Sequence, residues 1–204
     1  MNLPRPSKIV CVGRNYVEHA RELGNEMPEQ PLIFFKPPSS IIADGDAIVL
    51  PPQSQRVEHE GEIGVVIGKS ARDVSADEAM SYVAGFVALN DVTARDLQRS
   101  DGQWTRAKGF DTFCPLGSTT PADGIDFSAL EVICRVNGEV RQHGKASQMA
   151  FSIPTIIEYI SSVMTLEPGD VIATGTPAGV SQLHPGDVVE VEIPGVGKLS
   201  NPVT

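Results

Sequence analysis

Three glutamates, Glu58, Glu60 and Glu62, are spaced two residues apart at the start of the otherwise apolar segment 57–68. Side chains on a β-strand point alternately to opposite faces, so all three acids share one face if this segment is extended. Carboxylates at such close spacing repel one another and require either water or positive charge nearby. The segment is therefore either the solvated outer face of an edge strand or part of a divalent cation site, and spacing alone does not choose between them.

A further acid and a histidine–glutamate pair lie in other segments. Asp91 ends an apolar run and is followed by "VTARDLQ". His19 and Glu22 are three residues apart, so they share one face of a short helix predicted over residues 16–23. Asn15 is predicted to cap this helix at its N-terminus. These residues are candidates for the same site as the glutamates only if the fold brings the three segments together.

An acidic set of this kind predicts the type of metal. Ligands that are all oxygen atoms favour Mg²⁺, Mn²⁺ or Ca²⁺, whereas zinc favours histidine or cysteine. Three carboxylates carry one charge more than neutralises a divalent ion, which favours Mg²⁺ or Mn²⁺ with water and substrate completing the coordination.

Composition excludes several kinds of partner. The 204 residues are 41% apolar and 21% charged, which is typical of a soluble globular protein. A net charge of −10 without a dense basic run argues against nucleic acid, and no apolar stretch is long enough for a membrane span. The N-terminal segment lacks the apolar core of a signal peptide, and three separated cysteines match no disulfide framework or zinc site. We therefore expect a cytoplasmic protein.

The elements that must position these residues are predicted to be short strands. Nineteen glycines and sixteen prolines indicate frequent turns. The clearest hairpin joins segments 130–136 and 139–143 through Asn137 and Gly138. Because strands and helices do not alternate regularly, we predict a mainly β (α+β) fold. It would be a folded-over mixed β-sheet roll or barrel with a few short helices, in one domain spanning residues 1–204.

Eight blocks of the sequence, in order, resemble motifs of the fumarylacetoacetate hydrolase family, in its single-domain acylpyruvase-like branch. They are "GRNYVEHARELG", "FFKPPSSI", "EHEGEIGVVIG", "ALNDVTARDLQ", "WTRAKGFDTFCPLG", "VNGEVRQ", "SIPTIIEYIS" and "GDVIATGTPAGV". The resemblance implies the catalytic-domain fold of that family and a homodimer. It also implies that Glu60, Glu62 and Asp91 bind one Mg²⁺ or Mn²⁺, with Ca²⁺ as a possible substitute, and that Glu58 lies outside this set as an outer or solvated residue.

The same resemblance implies roles for residues outside the metal set. Lys108 in "RAKGF" resembles a catalytic lysine that supports negative charge developing on the substrate. His19 and Glu22 resemble a dyad on a mobile lid, in which the glutamate orients the histidine and the histidine activates water. Substrate-pocket positions are implied for Lys36, Arg95, Gln98 and Thr176. The turn that holds Thr176 could bind a carboxylate or be purely structural, with equal weight.

Three functions are consistent with these residues. The first is hydrolysis of 3-acylpyruvates, in which His19 activates water, a C–C bond breaks and Lys108 and the cation stabilise the departing enolate. The second uses the same site without hydrolytic water, to decarboxylate or tautomerise oxaloacetate or to isomerise or decarboxylate a hydroxymuconate-type diacid. The third is a non-catalytic Ca²⁺-binding protein, against which Lys108 and His19 argue because a structural ion needs neither. In the first two the partner is a small 2-oxo acid or dicarboxylate.

Overall fold

The computed structural model describes residues 5–204, and within them the protein is mostly β-sheet with a few short helices. The strands are β1 (Ile9–Gly13), β2 (Leu32–Lys36), β3 (Ile41–Ile42), β4 (Val57–Glu58), β5 (Gly61–Ile67), β6 (Val83–Asn90), β7 (Thr93–Ala94), β8 (Cys114–Pro115), β9 (Thr120–Pro121), β10 (Glu131–Val136), β11 (Glu139–Lys145), β12 (Val171–Ala173), β13 (Val188–Ile193) and β14 (Gly197–Pro202). The helices are α1 (Val17–Glu22), α2 (Ala76–Ala79), α3 (Arg95–Ser100), α4 (Thr105–Gly109) and α5 (Ile153–Val163). The predicted mixed, mainly β class is confirmed.

Two sheets make up most of the architecture. The larger has the strand order β2-β1-β12-β5-β6-β9, and the smaller has the order β11-β10-β13-β14. In the larger sheet β1 and β12 are parallel while the other neighbours are antiparallel, so this sheet is mixed. Two short ribbons, β3-β8 and β4-β7, complete the pairing.

The two sheets pack closely at the start of β5, next to Glu60 and Glu62. A Cβ atom placed on Gly61, the first residue of β5, would lie 2.9 Å from the Cβ of Cys134 on β10. Glycine at this position therefore lets the start of β5 approach the second sheet. The main hydrophobic core includes Ile63, Val65 and Ile67 of β5.

Strand β5 is buried on both faces. The face opposite those isoleucine and valine side chains continues from Glu62 to Val66, which packs in a second hydrophobic cluster with Ile9 and Val87. A strand covered on both sides has no solvated outer face. The edge-strand interpretation of the glutamates is therefore wrong for this fold.

Of two local predictions, the structure confirms the hairpin and contradicts the helix cap. The hairpin is confirmed, and its turn residues Asn137 and Gly138 have φ angles of +53° and +81°, as a two-residue type I′ turn requires. The predicted N-cap is wrong, because α1 begins after Tyr16 without a side-chain cap. The amide of Asn15 instead donates to the carbonyl oxygens of Phe151 (3.0 Å) and Thr174 (2.8 Å), so it ties the start of this helix to two distant loops.

Candidate active site

Three of the predicted acids converge on one buried point. Carboxylate oxygens of Glu60, Glu62 and Asp91 all lie within 4.8 Å of one another. Antiparallel pairing of Gly61 with Asn90 places the start of β5 beside the end of β6. The amide of Asp91 donates to the carbonyl of Glu60 at 2.8 Å, which holds these two ligand candidates side by side.

Two lysines neutralise part of this cluster. The Lys108 ammonium lies 2.7 Å from Oε2 of Glu60 and 2.6 Å from Oδ2 of Asp91. Lys36 lies 2.7 Å from Oδ1 of Asp91 and donates to the carbonyl of Val92 at 3.0 Å. Lys36 is buried behind Asp91 and is absent from the lining of the cavity described below, so the structure places it as a partner of this acid rather than at the predicted substrate position.

Arg95 forms a second layer around the acids. Its Nε donates to Oε2 of Glu58 at 2.7 Å, and its other nitrogens donate to Glu60 and to Oε1 of Gln98. Glu58 is only 1% exposed and also accepts from Arg56 at 2.6 Å. Of the two alternatives for Glu58, an outer residue of the site or a solvated one, the structure supports the first.

Glu62 is the acid whose charge is least compensated. Among residues 5–204, no cationic side chain lies within 4.0 Å of its carboxylate, which accepts one hydrogen bond from the amide of Gly175 at 2.8 Å. Burial and repulsion from Asp91 and Glu60 raise the pKa of Glu62 well above its usual range. Burial acts in the same direction on Glu60, but the charges of Lys108 and Arg95 prevail and hold its pKa well below the usual value.

This imbalance fits a divalent cation. Four buried carboxylates face three buried cationic side chains, and the excess negative charge is concentrated at Glu62. A cation beside the three converging carboxylates would relieve the repulsion that raises the pKa of Glu62. Oxygen atoms are the candidate ligands, as Mg²⁺, Mn²⁺ and Ca²⁺ prefer.

A cavity of about 340 Å³ opens onto the acidic cluster. Of the other predicted residues, His19, Arg95, Gln98, Lys108 and Thr176 line it, whereas Glu22 and Lys36 do not. Sequence reasoning missed several lining residues, which include Val12, Arg14, Leu23, Asn25, Phe34, Arg99 and Trp104. The rings of Phe34 and Trp104 meet edge to face, with centroids 5.1 Å apart, and give the cavity one apolar wall.

The predicted histidine–glutamate pair is formed on α1. Nδ1 of His19 lies 3.3 Å from Oε2 of Glu22, which also accepts from the amide of Gly179 at 3.2 Å. His19 is 5% exposed, and burial lowers its pKa. Its imidazole is therefore neutral at pH 7. Because Glu22 engages Nδ1, Nε2 is the nitrogen available to accept a proton.

The hydroxyl of Thr176 is already engaged. It donates to the carbonyl of Gly61 at 2.9 Å and accepts from Nε2 of Gln142 at 2.7 Å. The orientation of the Gln142 amide is fixed because Oε1 accepts from the amide of Gly61 at 3.0 Å. The only hydroxyl hydrogen of Thr176 therefore points at the backbone, which supports the structural interpretation of this turn. The "VNGEVRQ" block contained Gln142, but nothing in its local sequence indicated this contact.

Together, the fold and this cluster define a folded-over, mainly β protein with an acidic site suited to a divalent cation. A sequence profile described as "Fumarylacetoacetate (FAA) hydrolase C-terminal" matches residues 8–204. The chain belongs to the fumarylacetoacetate hydrolase family. No helix among residues 5–204 has the length and apolar character needed to cross a membrane.

Several relatives match nearly the whole chain. An uncharacterized protein of Methanocaldococcus jannaschii is 53% identical over 197 residues, which are 97% of this chain and 83% of the relative. The mitochondrial oxaloacetate decarboxylase of Dictyostelium discoideum is 47% identical and covers 93% and 89%, respectively. The mitochondrial oxaloacetate tautomerase of Homo sapiens is also 47% identical, over 98% of this chain and 67% of its own.

Solved structures show the same fold with differently named activities. The 5-carboxymethyl-2-hydroxymuconate delta-isomerase of Mycobacterium smegmatis is 48% identical with a TM-score of 0.91, over 98% of this chain and 79% of that one. Fumarylpyruvate hydrolase of Pseudomonas aeruginosa, solved with Mn²⁺ and pyruvate, is 33% identical with a TM-score of 0.93. That match covers 100% of this chain and 91% of the hydrolase.

Proposed function

We propose that this protein is a divalent-metal-dependent enzyme that forms the enolate of a short 2-oxo diacid of the oxaloacetate type, and so tautomerises or decarboxylates it. The observation that carries this proposal is the convergence of Glu60, Glu62 and Asp91 beside Lys108, in a cavity that a neutral His19 also lines. The 47% identity to two enzymes named for oxaloacetate, compared with 33% to a hydrolase, supports this proposal over the hydrolysis that the sequence motifs favour.

Each group of side chains has a separate role in the proposed reaction. A divalent cation bound by Glu60, Glu62 and Asp91 would polarise the 2-oxo group and favour loss of a proton or of carbon dioxide at the adjacent carbon. The Lys108 ammonium contributes positive charge where the carbonyl oxygen becomes negative. His19 is neutral, so its Nε2 can accept the proton removed from C3 and return it, while Glu22 keeps the ring oriented.

Hydrolysis of 3-acylpyruvates is the second candidate. The hydrogen-bonded pair of His19 and Glu22 favours it, because hydrolysis needs a base that removes a proton from water. In this reaction His19 takes that proton, the water oxygen attacks the distal carbonyl carbon, and the C–C bond to the pyruvyl unit breaks. The same Lys108 would then support the enolate oxygen of the leaving pyruvate.

The proposal is tested by stripping the protein of metal and following the ultraviolet absorbance of enol oxaloacetate and, separately, of acetylpyruvate. We expect enzyme-dependent oxaloacetate turnover after addition of Mg²⁺ or Mn²⁺, at rates above those of the metal ion in protein-free buffer. The Glu62→Gln protein is the matched control, since it lacks one candidate ligand and we expect it to keep the fold. Faster turnover of acetylpyruvate than of oxaloacetate would favour the second candidate. Rates equal to those of the free ion with both substrates would contradict both.

A further inference from the structure

We propose that Arg14 binds the distal carboxylate of the substrate and thereby selects 2-oxo diacids over 2-oxo monoacids. This inference rests on the proposed function, because it assigns the second carboxylate of the same substrate to a residue that lies outside the metal cluster and to which the sequence analysis gave no role. Arg14 lies in the loop between β1 and α1 and lines the cavity.

The first observation is that the Arg14 side chain has no anionic partner in the protein. Its Nε is buried and makes no hydrogen bond within residues 5–204, and no carboxylate of those residues lies within 4.0 Å of its guanidinium. Arg95 and Lys108, by contrast, already form ion pairs with Glu58, Glu60 and Asp91. A buried nitrogen of a charged group without a partner is unfavourable unless a ligand supplies one.

The second observation concerns the backbone. Arg14 has a φ angle of +55°, in the left-handed region that favours glycine. The chain is constrained there, since a Cβ on the preceding Gly13 would come within 2.9 Å of Cζ3 of Trp104. Glycine would adopt the conformation of residue 14 without strain, so an arginine at this position indicates a requirement for its side chain. Strained residues of this kind are concentrated at ligand-binding sites.

The third observation is the charge distribution along the cavity lining. The acids at the start of β5 and the end of β6 would bind the cation, and the cation would in turn bind the 2-oxo carboxylate end of the substrate. Arg14 and Arg99 are the lining cations that form no ion pair within residues 5–204, and Arg99 is solvent-exposed. Arginine binds carboxylates through two parallel N–H donors, so Arg14 is matched to a second carboxylate. An uncharged alkyl tail in its place would leave the guanidinium unpaired.

A matched pair of 2-oxo acids tests this inference. The dissociation constants of 2-oxoglutarate and 2-oxopentanoate, which share a chain length and differ in the terminal carboxylate, are measured by calorimetry on the Mn²⁺-loaded protein. We expect the native protein to bind the diacid more tightly. Arg14→Gln should weaken diacid binding about tenfold or more, as for a lost charge-assisted hydrogen bond, and change monoacid binding less than about twofold. Arg14→Lys should be intermediate.

Arg14→Gly separates a ligand-binding role from a structural one. Because glycine relieves the positive φ, this variant should melt no lower than the native protein while losing the diacid preference. Asp73→Gly is the control, since Asp73 has a φ of +51° and an exposed side chain outside the cavity lining; it should leave both affinities unchanged.

Three results would overturn the inference. The first two are equal native affinities for the two ligands and equal losses of both affinities in Arg14→Gln. A lower melting temperature of Arg14→Gly together with weaker monoacid binding would also overturn it, in favour of a structural role. Because calorimetry measures binding and not turnover, these outcomes can be distinguished from those of the oxaloacetate assay that decides the proposed function.

Discussion

Nε2 of Gln142 donates a hydrogen bond of 2.7 Å to the hydroxyl of Thr176, although 34 residues separate them in the chain. The same amide accepts a hydrogen bond from Gly61, the residue between two of the candidate metal ligands. It also donates to the carbonyl of Pro177 at 2.6 Å. One side chain therefore fixes the cavity-lining turn at Thr176 relative to the start of β5.

Replacing Gln142 with methionine should affect both stability and substrate binding. The buried amide of Gly61 and carbonyl of Pro177 would lose their partner, at a cost of about 1–3 kcal/mol in the free energy of unfolding. The turn at Thr176 would no longer be held against β5, so we expect KM to rise more than kcat falls. Melting curves and steady-state kinetics measure the two effects. Gln182→Met, which removes a hydrogen bond to Gln55 at the surface, is the control. A loss of stability with unchanged KM would limit Gln142 to a structural role.

Glu62→Gln should stabilise the protein without metal and abolish its response to metal. The raised pKa of Glu62 means that the folded state binds a proton more tightly than the unfolded state, so stability falls as pH rises above the ordinary value of 4.5. Removing this charge should raise the melting temperature of the metal-free protein at pH 7, with a smaller difference near pH 4.

Metal titration provides the second half of this test. A cation at one hundred times its dissociation constant should stabilise the native protein by about 2.7 kcal/mol, and Glu62→Gln should show little of this increase. Glu139→Gln changes an exposed acid of β11 and serves as the control. Equal stabilisation of Glu62→Gln and native protein by Mn²⁺ would contradict the predicted metal site.

Lys108→Met should separate metal binding from turnover. The ammonium of Lys108 competes with a cation for Glu60 and Asp91, so its removal should leave Mn²⁺ affinity unchanged or increase it. Turnover of oxaloacetate should fall by about 10²–10³-fold, as for loss of one group that stabilises developing negative charge. Arg106→Met alters an exposed residue of the same helix and should change neither quantity. Weaker Mn²⁺ binding by Lys108→Met would show that this lysine organises the acids instead.

Features that depend on local sequence could be predicted from it. The shared face of Glu60 and Glu62 follows from the two-residue period of a strand, and the hairpin follows from the Asn137-Gly138 turn. The burial of that face could not be predicted, because it requires both neighbouring strands and the second sheet. Asp91 was placed in the metal set only by resemblance to a family, and the structure adds its position beside Glu60.

Contacts between distant segments were also missed, because they depend on the fold and not on local sequence. Asn15 has the residue type of a helix cap, but its amide has better partners at Phe151 and Thr174, which no local pattern reveals. The positive φ of Arg14 is equally invisible, because arginine rarely adopts it and the preceding glycine gives no sign of the conformation that follows.

Residues 16–30 are predicted to become more ordered when ligand binds. In the structure His19 of α1 lines the cavity. The carboxylate of Glu22, on the same helix, accepts a hydrogen bond from the amide of Gly179 and so links α1 to a distant loop. A short helix with few tethers opens at low cost in free energy. Hydrogen exchange of this segment should slow when Mg²⁺ and oxalate are added together, whereas exchange in α5 should not change. Equal exchange with and without ligand would count against a lid.

His19 decides between the two candidate reactions through its pH dependence and its substitution. Because burial lowers its pKa below the ordinary 6.5, the neutral base persists below that pH, and the acidic limb of kcat/KM should have its midpoint below 6.5. A cation bound nearby adds positive charge and lowers this pKa further. In His19→Gln the limb should disappear, and acylpyruvate hydrolysis should fall by about 10²–10⁴-fold, as for a lost general base.

Oxaloacetate provides the contrast for His19. Decarboxylation needs the cation and Lys108 but no base, so His19→Gln should retain most of it, whereas tautomerisation requires proton transfer at C3 and should fall with hydrolysis. Measuring the enol absorbance and carbon dioxide release in parallel separates the two oxaloacetate reactions. Loss of tautomerisation with decarboxylation retained would identify His19 as the base at C3. Full activity of His19→Gln in all three assays would exclude this residue from the chemistry and leave Lys108 as the only proton-carrying side chain of the proposed mechanism.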